Sequence, residues 1–369
     1  MTRDSRGLDV PGRESDGSAT GRARFGRLRR LLRNPWLIQL IVGAALLGLA
    51  AWQVNLNDVS RAFADAQYGW LIFALAIYVA SRSVHAVEWQ ITLSKVGRAP
   101  FLGLFGALLI GTLVNAVIPA SAGDVVKIQI VANRYGLPRA GLVGGRGAEA
   151  LVNALIMVIF ILVSFALPSV GYGSRELLWL LAVATVLTFA GAVVASRALP
   201  PALPRWRLLT RLPHRLRDSL DRQWPRFREG LEVIRRPRLL LVAVLLNLFG
   251  WAVDLLIYWS YGQAFHLHLP LAAYLSVTVV VALITIFPIT FGNVGTYELA
   301  VLSVLALYSV PSHDALAYAV GTHVFGTVFN IGLGILAMWL MGVQPGDVFR
   351  LRPSAPPDAA ADAGPGGGA

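Results

Sequence analysis

The sequence is poor in the side chains on which many soluble enzymes depend. It has no cysteine among its 369 residues, which excludes disulfides, Cys-ligated zinc, iron–sulfur clusters and thiol catalysis. Asp, Glu, Lys and Arg make only 14% of the chain, whereas a soluble domain carries about 25%. A His-x-x-x-His pair and the Walker and dinucleotide fingerprints are also missing. We therefore expect no metal, no cofactor and no enzyme of these classes.

The sequence is instead rich in long apolar segments. Hydrophobic residues make 56% of the chain, and the apolar runs are long enough to cross, or nearly cross, a hydrocarbon core of roughly 30 Å. The pattern predicts an all-α, polytopic membrane helical bundle. The predicted spans are 36–53, 68–87, 101–118, 149–168, 176–196, 239–261, 270–287, 294–310 and 315–341.

The distribution of arginine predicts the orientation of these spans. Nine Arg precede Trp36, and residues 197–238 hold twelve Arg against four acids, so both segments should be cytoplasmic. Five apolar runs lie between them, yet the number of crossings must be even. We therefore interpret 101–135 as a re-entrant or broken helical hairpin that returns to its starting side. About eight transmembrane helices remain, with both termini in the cytoplasm and the protein in the inner (cytoplasmic) membrane. The net charge of +12 then reflects positive-inside loops and implies no nucleic acid partner.

The polar segments predict the domain boundaries. Residues 1–34 form a disordered, basic, cytoplasmic N-terminus, residues 35–341 a transmembrane domain, and residues 342–369 a disordered tail. Within the domain, 198–238 forms a basic loop whose apolar residues recur at helical spacing, which predicts an interfacial amphipathic helix. These apolar residues are Leu216, Leu220, Trp224, Phe227 and Leu231.

Two segments of the chain share one pattern. After Pro100 and an apolar helix comes Pro119-x-x-x-Gly-Asp-Val, and after Pro270 and a second such helix comes Pro288-x-x-x-Gly-Asn-Val. Three net crossings separate the two, so they would enter the membrane from opposite sides as an inverted repeat. Secondary transporters bind substrates at such broken helices, where a new helix aims its N-terminal amides at an anion. The alternative is a pair of ordinary Pro/Gly loops at the interfaces.

Several ionisable residues fall within or near the spans. Asp254 lies mid-span with Asn247 on the same face, and His323 interrupts the last span. A charge at such depth is costly unless paired, so these positions are candidate site residues. Four others lie near span ends, where snorkelling toward the interface is the favoured interpretation. They are Arg82, Glu88, Arg146 and Glu149.

The segment Asn115-Ala-Val-Ile-Pro119-Ala-Ser-Ala-Gly123-Asp124-Val-Val-Lys127 resembles the lysylphosphatidylglycerol synthase transmembrane region, a flippase-like family. That family shows Asn followed by Pro-x-x-x-Gly-[Asp/Glu]-x-x-Arg at this place. Lys127 therefore stands where Arg is usual.

A second family motif, Pro-x-x-x-Gly-x-Gly-x-x-Glu, is matched by Pro288, Gly292, Gly295 and Glu298. Elsewhere the chain departs from the family. The family's Glu-Arg-x-x-Asp becomes Gly-Arg146-x-x-Glu149, and His323 lies near a usual basic position. The resemblance covers roughly 36–341, and the departures concern substrate preference more than membership.

The resemblance implies a stand-alone lipid flippase-like protein without the family's aminoacyltransferase domain, and therefore no enzyme. Its expected partners are membrane lipids with an anionic or lipid-linked headgroup. The alternative is a non-transporting accessory subunit that binds an envelope-biosynthesis protein. The expected substrate-binding residues are Asn115, Pro119, Gly123, Asp124, Lys127, Arg146, Glu149, Asp254, Pro288, Gly292, Asn293, Gly295, Glu298 and His323.

Overall fold

The computed structural model describes residues 56–118, 122–166, 175–200, 213–286, 290–344 and 346. These residues form twelve α-helices and no strand, which confirms the all-α prediction. The helices are α1 (Leu56–Ala64), α2 (Tyr68–Thr92), α3 (Phe101–Val117), α4 (Ala122–Tyr135), α5 (Arg139–Ala166), α6 (Arg175–Ala198), α7 (His214–Gly230), α8 (Glu232–Arg235), α9 (Pro237–Ala264), α10 (Leu271–Ile286), α11 (Thr296–Ala306) and α12 (Ser312–Met341).

Helix lengths agree with a polytopic membrane bundle. Among the described residues, four segments are long and apolar enough to cross a membrane, namely Tyr68–Lys95, Arg139–Ser164, Pro237–Ala264 and Ser312–Met341. Each contains or overlaps a predicted span. The predicted span 36–53 lies outside the described residues. Helix α11 has 11 residues, a rise of about 16 Å, so α10 and α11 form a second hairpin more readily than two full crossings.

Helices α2 and α9 form a long antiparallel pair in the middle of the bundle. At one end the Gln67 amide donates to the Ala264 carbonyl at 2.9 Å. At the other end Asn247 contacts Glu88. Between these points Tyr78 of α2 and Ile257 and Tyr261 of α9 belong to one buried apolar cluster, whose close packing contributes to holding the pair together.

Helices α3 and α4 pack as hairpin 1. Gly103 near the start of α3 lies against the Tyr135 ring at the end of α4, and Gly111 lies against Gly123, so the helices run antiparallel. A Cβ at Gly123 would lie 1.9 Å from the Gly111 carbonyl oxygen, which is why glycine is required for this approach. The chain thus returns to the side from which it came, as the parity of the arginine-rich segments predicts.

Helices α10 and α11 pack as hairpin 2, joined by a tight turn. Gly292 and Asn293 have φ values of 60° and 59°, and Gly295 has φ 81° as the residue before α11. These left-handed values favour glycine or asparagine. The described part of the turn, residues 290–295, leads directly into α11 and places Glu298 in the first turn of that helix.

Helix α12 contacts both hairpins, which approach it from opposite ends. The base of hairpin 1 lies at its C-terminus, where Arg134 Nη1 donates to the Met341 carbonyl at 2.8 Å. The base of hairpin 2 lies near its N-terminus, where the Tyr274 and Tyr318 rings are 6.4 Å apart. The turn of hairpin 2 reaches His323, in the middle of α12. The two hairpins are therefore inverted relative to one another, as the repeated pattern predicts.

The amphipathic helix α7 packs against protein as well as facing outward. Gly230 at its C-terminal end lies against the Gly141 carbonyl at the start of α5. Gly141 in turn lies against Val96, just before α3. The structure has a helix where the apolar spacing predicts one, with Pro225 inside it, and its position at a membrane interface stays a prediction. Its basic face marks the end of the bundle at which hairpin 1 has its base.

Candidate functional site

Asn115 connects the two helices of hairpin 1. Its Oδ1 accepts a hydrogen bond from the Gly123 amide at 2.7 Å. This amide belongs to the first turn of α4, where backbone donors have no partner within the helix. The Asn115 side chain therefore acts as a cap supplied from α3, and it holds the start of α4 beside the end of α3.

Asp124, at the start of α4, forms ion pairs with two cationic side chains. Its Oδ1 lies 3.0 Å from Lys127 Nζ and its Oδ2 lies 3.0 Å from Arg146 Nη2. Arg146 Nη1 also lies 3.9 Å from Glu149 Oε2, and Lys127 Nζ lies 5.2 Å from the centre of the Trp89 ring. We call Asn115, Gly123, Asp124, Lys127, Arg146 and Glu149 the hairpin-1 cluster.

The charges of the hairpin-1 cluster balance, with two cations against two carboxylates. Lys127 and Arg146 are both among the residues expected to bind the substrate, and the structure brings these two cations together around one carboxylate. Asp124 occupies the position between them. The side chains of Arg146 and Asp124 keep 31% and 27% of their exposure, so an anionic group from outside can reach the pair. A bound phosphate would replace or share the place of Asp124.

Glu298 and His323 form the centre of hairpin 2. Glu298 Oε2 accepts the Gly295 amide at 2.6 Å, and Glu298 Oε1 lies 2.7 Å from His323 Nδ1. His323 Nε2 lies 2.9 Å from the Gly292 carbonyl oxygen. The Tyr297 ring stacks on the imidazole at 4.5 Å between centroids. We call Gly292, Asn293, Gly295, Glu298 and His323 the hairpin-2 cluster.

The sequence pattern predicts that amides at the start of the helix after the turn bind a substrate anion. In hairpin 2 a carboxylate of the protein itself, Glu298, occupies that position. The Gly295 amide points at Glu298 rather than outward. Asn293 adopts the left-handed conformation, and its Oδ1 is buried without a hydrogen-bond partner within the described part of the chain. Pro119 and Pro288, the prolines of the two motifs, lie outside the described residues.

A third set of polar side chains joins α2 to α9, and Asp254 belongs to it. Asp254 Oδ1 lies 3.0 Å from Arg82 Nη2 and also accepts a hydrogen bond from Ser81. His85 lies between two acids, with Nε2 3.4 Å from Asp254 Oδ2 and Nδ1 3.4 Å from Glu88 Oε2. Asn247 Nδ2 donates to both Glu88 oxygens, at 2.9 and 3.1 Å. We call these six residues the central cluster.

The interpretation of Arg82 and Glu88 as snorkelling residues was wrong. Glu88 keeps only 1% of its exposure, and Arg82 pairs with Asp254. Burying Glu88 without partners would cost several kcal/mol, and Asn247 and His85 supply them. His85 is a site residue that the sequence interpretation missed. A signal existed, because positions 81, 82, 85 and 88 form a polar stripe at helical spacing on an apolar helix.

Two further polar side chains lie outside the three clusters. Asn330, two helical turns after His323 on α12, accepts a hydrogen bond from Tyr78 of α2. His268 is exposed and contacts the His266 carbonyl. Across the described ranges, no three metal-ligating side chains converge.

A helical membrane bundle with two opposed hairpins and buried charged clusters defines a polytopic integral membrane protein. Within that class, the family model for the lysylphosphatidylglycerol synthase TM region matches residues 36–334. The chain belongs to this family. Comparison with curated proteins and with solved structures gives no match.

Proposed function

We propose that the protein moves a lipid headgroup, of a phospholipid or a lipid-linked intermediate, across the cytoplasmic membrane. The observation that carries the proposal is the meeting of two inverted hairpins on α12, each with a charged cluster close to its turn. Broken helices of inverted repeats are where secondary transporters bind their substrates. Family membership supports the same assignment, because the matched region is the membrane part of a lipid-modifying system.

The hairpin-1 cluster supplies the chemistry for an anionic headgroup. Lys127 and Arg146 converge on Asp124, and the planar guanidinium of Arg146 can bind phosphate through two parallel hydrogen bonds. Since Asp124 already neutralises the two cations, a phosphate binds by exchange with it. Exchange suits a carrier, because the headgroup must leave as readily as it arrives.

Headgroup translocation in reconstituted liposomes tests the proposal. Fluorescent lipids with several headgroups are placed in both leaflets, and the accessible fraction is quenched from outside. The wild type should equilibrate at least one lipid, and Lys127→Ala/Arg146→Ala should abolish this. The matched control is Arg222→Ala/Arg226→Ala, which removes the same charge from the exposed face of α7. A wild type that moves none of the lipids, or a control as inactive as the test variant, contradicts the proposal.

We also propose that the α7 end of the bundle, and with it both termini, lies in the cytoplasm. The absence of cysteine makes single-cysteine labelling direct. Arg222→Cys on α7 and His268→Cys in the α9–α10 loop are both at exposed positions. In intact cells an impermeant maleimide should label His268→Cys, and Arg222→Cys only after permeabilisation. The opposite pattern inverts the topology.

One observation favours a second function, a non-transporting accessory subunit of a glycosyltransferase or envelope-lipid assembly system. Every charged side chain of the hairpin-1 cluster already has a partner inside the protein, which also suits a static scaffold. Stable co-purification of an envelope-biosynthesis protein, together with no translocation by the isolated chain, would favour this alternative.

A further inference from the structure

The three polar clusters differ in their charge balance. In the hairpin-1 cluster, Lys127 and Arg146 offset Asp124 and Glu149. In the central cluster, Arg82 offsets Asp254 and leaves the charge of Glu88 unbalanced. In the hairpin-2 cluster, Glu298 forms no ion pair with a Lys or Arg among the residues that the structure describes, and its ionisable partner there is His323. With neutral histidines, the central and hairpin-2 clusters would each carry one net negative charge inside the membrane, where such a charge is costly.

The geometry of His323 places an additional proton in the hairpin-2 cluster. Its Nε2 faces the Gly292 carbonyl oxygen at 2.9 Å, and since a carbonyl only accepts, Nε2 must carry a hydrogen. Its Nδ1 faces Glu298 Oε1 at 2.7 Å, a contact that needs a hydrogen between the two atoms. A neutral imidazole and an ionised carboxylate together have one hydrogen too few. The pair therefore holds one further proton, on the ring or on the carboxyl.

His85 repeats this arrangement in the central cluster. Both of its ring nitrogens face carboxylates, Glu88 on its own helix and Asp254 on α9, each at 3.4 Å. A neutral ring can donate to only one of them. Glu88 is buried at 1% exposure, so leaving it ionised without a protonated neighbour is unfavourable. One added proton brings the cluster to neutrality.

Other charged or titratable groups reach these pairs from the neighbouring helices. His85 interacts electrostatically with Arg82 on its own helix. Its neighbour Glu88 accepts hydrogen bonds from Asn247 of α9 and interacts electrostatically with Arg146 of α5. His323 is covered by Tyr297 of α11, whose hydroxyl donates to Thr322 of α12. Tyr258 of α9 lies next to Tyr297 and to Asp254. These tyrosines lie between the two histidine sites.

We propose that the His85–Glu88–Asp254 and His323–Glu298 groups are two proton-binding sites, and that proton release from them drives the lipid translocation. The coupling rests on the proposed function, whereas the two proton sites do not. In hairpin 2 the proton holds Glu298 against His323, and Glu298 holds the Gly295 amide at the start of α11. After release of this proton the neutral ring has one hydrogen, which can serve either Glu298 or the Gly292 carbonyl but not both. One of the two His323 contacts that hold the turn is therefore lost.

The proton sites are tested without any transport measurement. The protein has six histidines, so ¹⁵N-histidine and ¹³C-carboxyl labelling in nanodiscs at about pH 7.5 gives few signals, near the pH where histidine normally becomes neutral. His85→Gln and His323→Gln assign them. We expect each site to show either a doubly protonated ring or a protonated carboxyl. Neutral rings beside ionised carboxylates at both sites would overturn the proposal.

Coupling is tested in proteoliposomes with and without a pH gradient. Each coupled proton should change the steady-state lipid ratio by about tenfold per pH unit, as one 1.4 kcal/mol step does. His323→Gln and His85→Gln should lose this response, whereas His268→Gln, at an exposed position, should keep it. Translocation that ignores the gradient overturns the coupling alone. Protonated sites in a protein that moves no lipid under either condition overturn the coupling and the proposed function together, and leave the proton sites standing.

Discussion

The two hairpins share one sequence pattern but differ in the exposure and the partners of their acidic side chains. In hairpin 1 the residue after the motif glycine is Asp124, which faces two cations and keeps 27% of its side-chain exposure. In hairpin 2 the equivalent residue is Asn293, and the acid is Glu298, which is 4% exposed. Hairpin 1 thus holds ions that can exchange partners, whereas the charges of hairpin 2 are used to hold its own turn. Under the proposed function, hairpin 1 would bind the headgroup and hairpin 2 would hold the proton-dependent turn.

The largest effect should follow from removing the buried acid of hairpin 2. Glu298→Ala leaves His323 and the Gly295 amide without their shared acceptor. Truncating one partner of a buried charged pair costs about 3 kcal/mol or more. Thermal unfolding in detergent should show a clear loss of stability. Glu298→Gln, which keeps the volume and one acceptor oxygen, should lose less. If Glu298→Ala lowers the free energy of unfolding by less than about 1 kcal/mol, Glu298 does not hold the turn of hairpin 2. The contrast drawn between the two hairpins would then be wrong.

The next largest effect should come from the helix contact in hairpin 1. Gly123→Ala introduces a Cβ that would lie 1.9 Å from the Gly111 carbonyl oxygen, a backbone atom that cannot move independently. Overpacking of this kind costs about 1–3 kcal/mol. Gly147→Ala is the matched control, because a Cβ there meets nothing within 4 Å. Unfolding midpoints that fall equally for both variants would show that the close approach of α3 and α4 is not required.

Much of this architecture could be predicted from residue type and spacing alone. The apolar runs predicted the bounds of the described helices to within a few residues at most ends, because only helices satisfy the backbone in a lipid environment without forming a barrel. The exception is α5, which starts ten residues before the predicted span. Parity and arginine counts predicted the hairpin at 101–135. The pairs Asp124–Arg146 and Glu298–His323 are different. Both join residues distant in sequence, and only packing brings them together.

The central cluster shows what sequence interpretation could not supply. Glu88 lies near a predicted span end, where snorkelling is the usual outcome, but α2 continues to Thr92 and buries it. In this extension α2 lies against α9, where Asn247 donates hydrogen bonds to Glu88. Without the tertiary contacts, the sequence around Glu88 is equally compatible with a buried, hydrogen-bonded glutamate and with a solvated one.

A smaller effect is expected at the cap of hairpin 1. Asn115→Ala removes the acceptor of the Gly123 amide, and losing a side-chain cap costs about 1 kcal/mol. Asn115→Asp retains an acceptor oxygen and should recover most of the stability. Hydrogen exchange at the first turn of α4 is the measurement, since protection there should fall in the alanine variant alone. Unchanged protection would mean that α4 is held by its packing and not by its cap.

The smallest loss of stability, and the sharpest contrast between the hairpins, is expected for Asp124→Asn. The change is chemically the same as Glu298→Gln, yet Asp124 is partly exposed, so solvent screening limits its cost to about 0.5 kcal/mol. It also removes the internal competitor for Lys127 and Arg146, so a short-chain anionic phospholipid should stabilise Asp124→Asn more than the wild type. No such gain should follow Glu298→Gln, where the freed partners are a backbone amide and a histidine. An equal ligand response in both variants would mean that hairpin 1 has no special role in binding the headgroup. A gain confined to Asp124→Asn would locate the exchangeable anion site between Lys127 and Arg146.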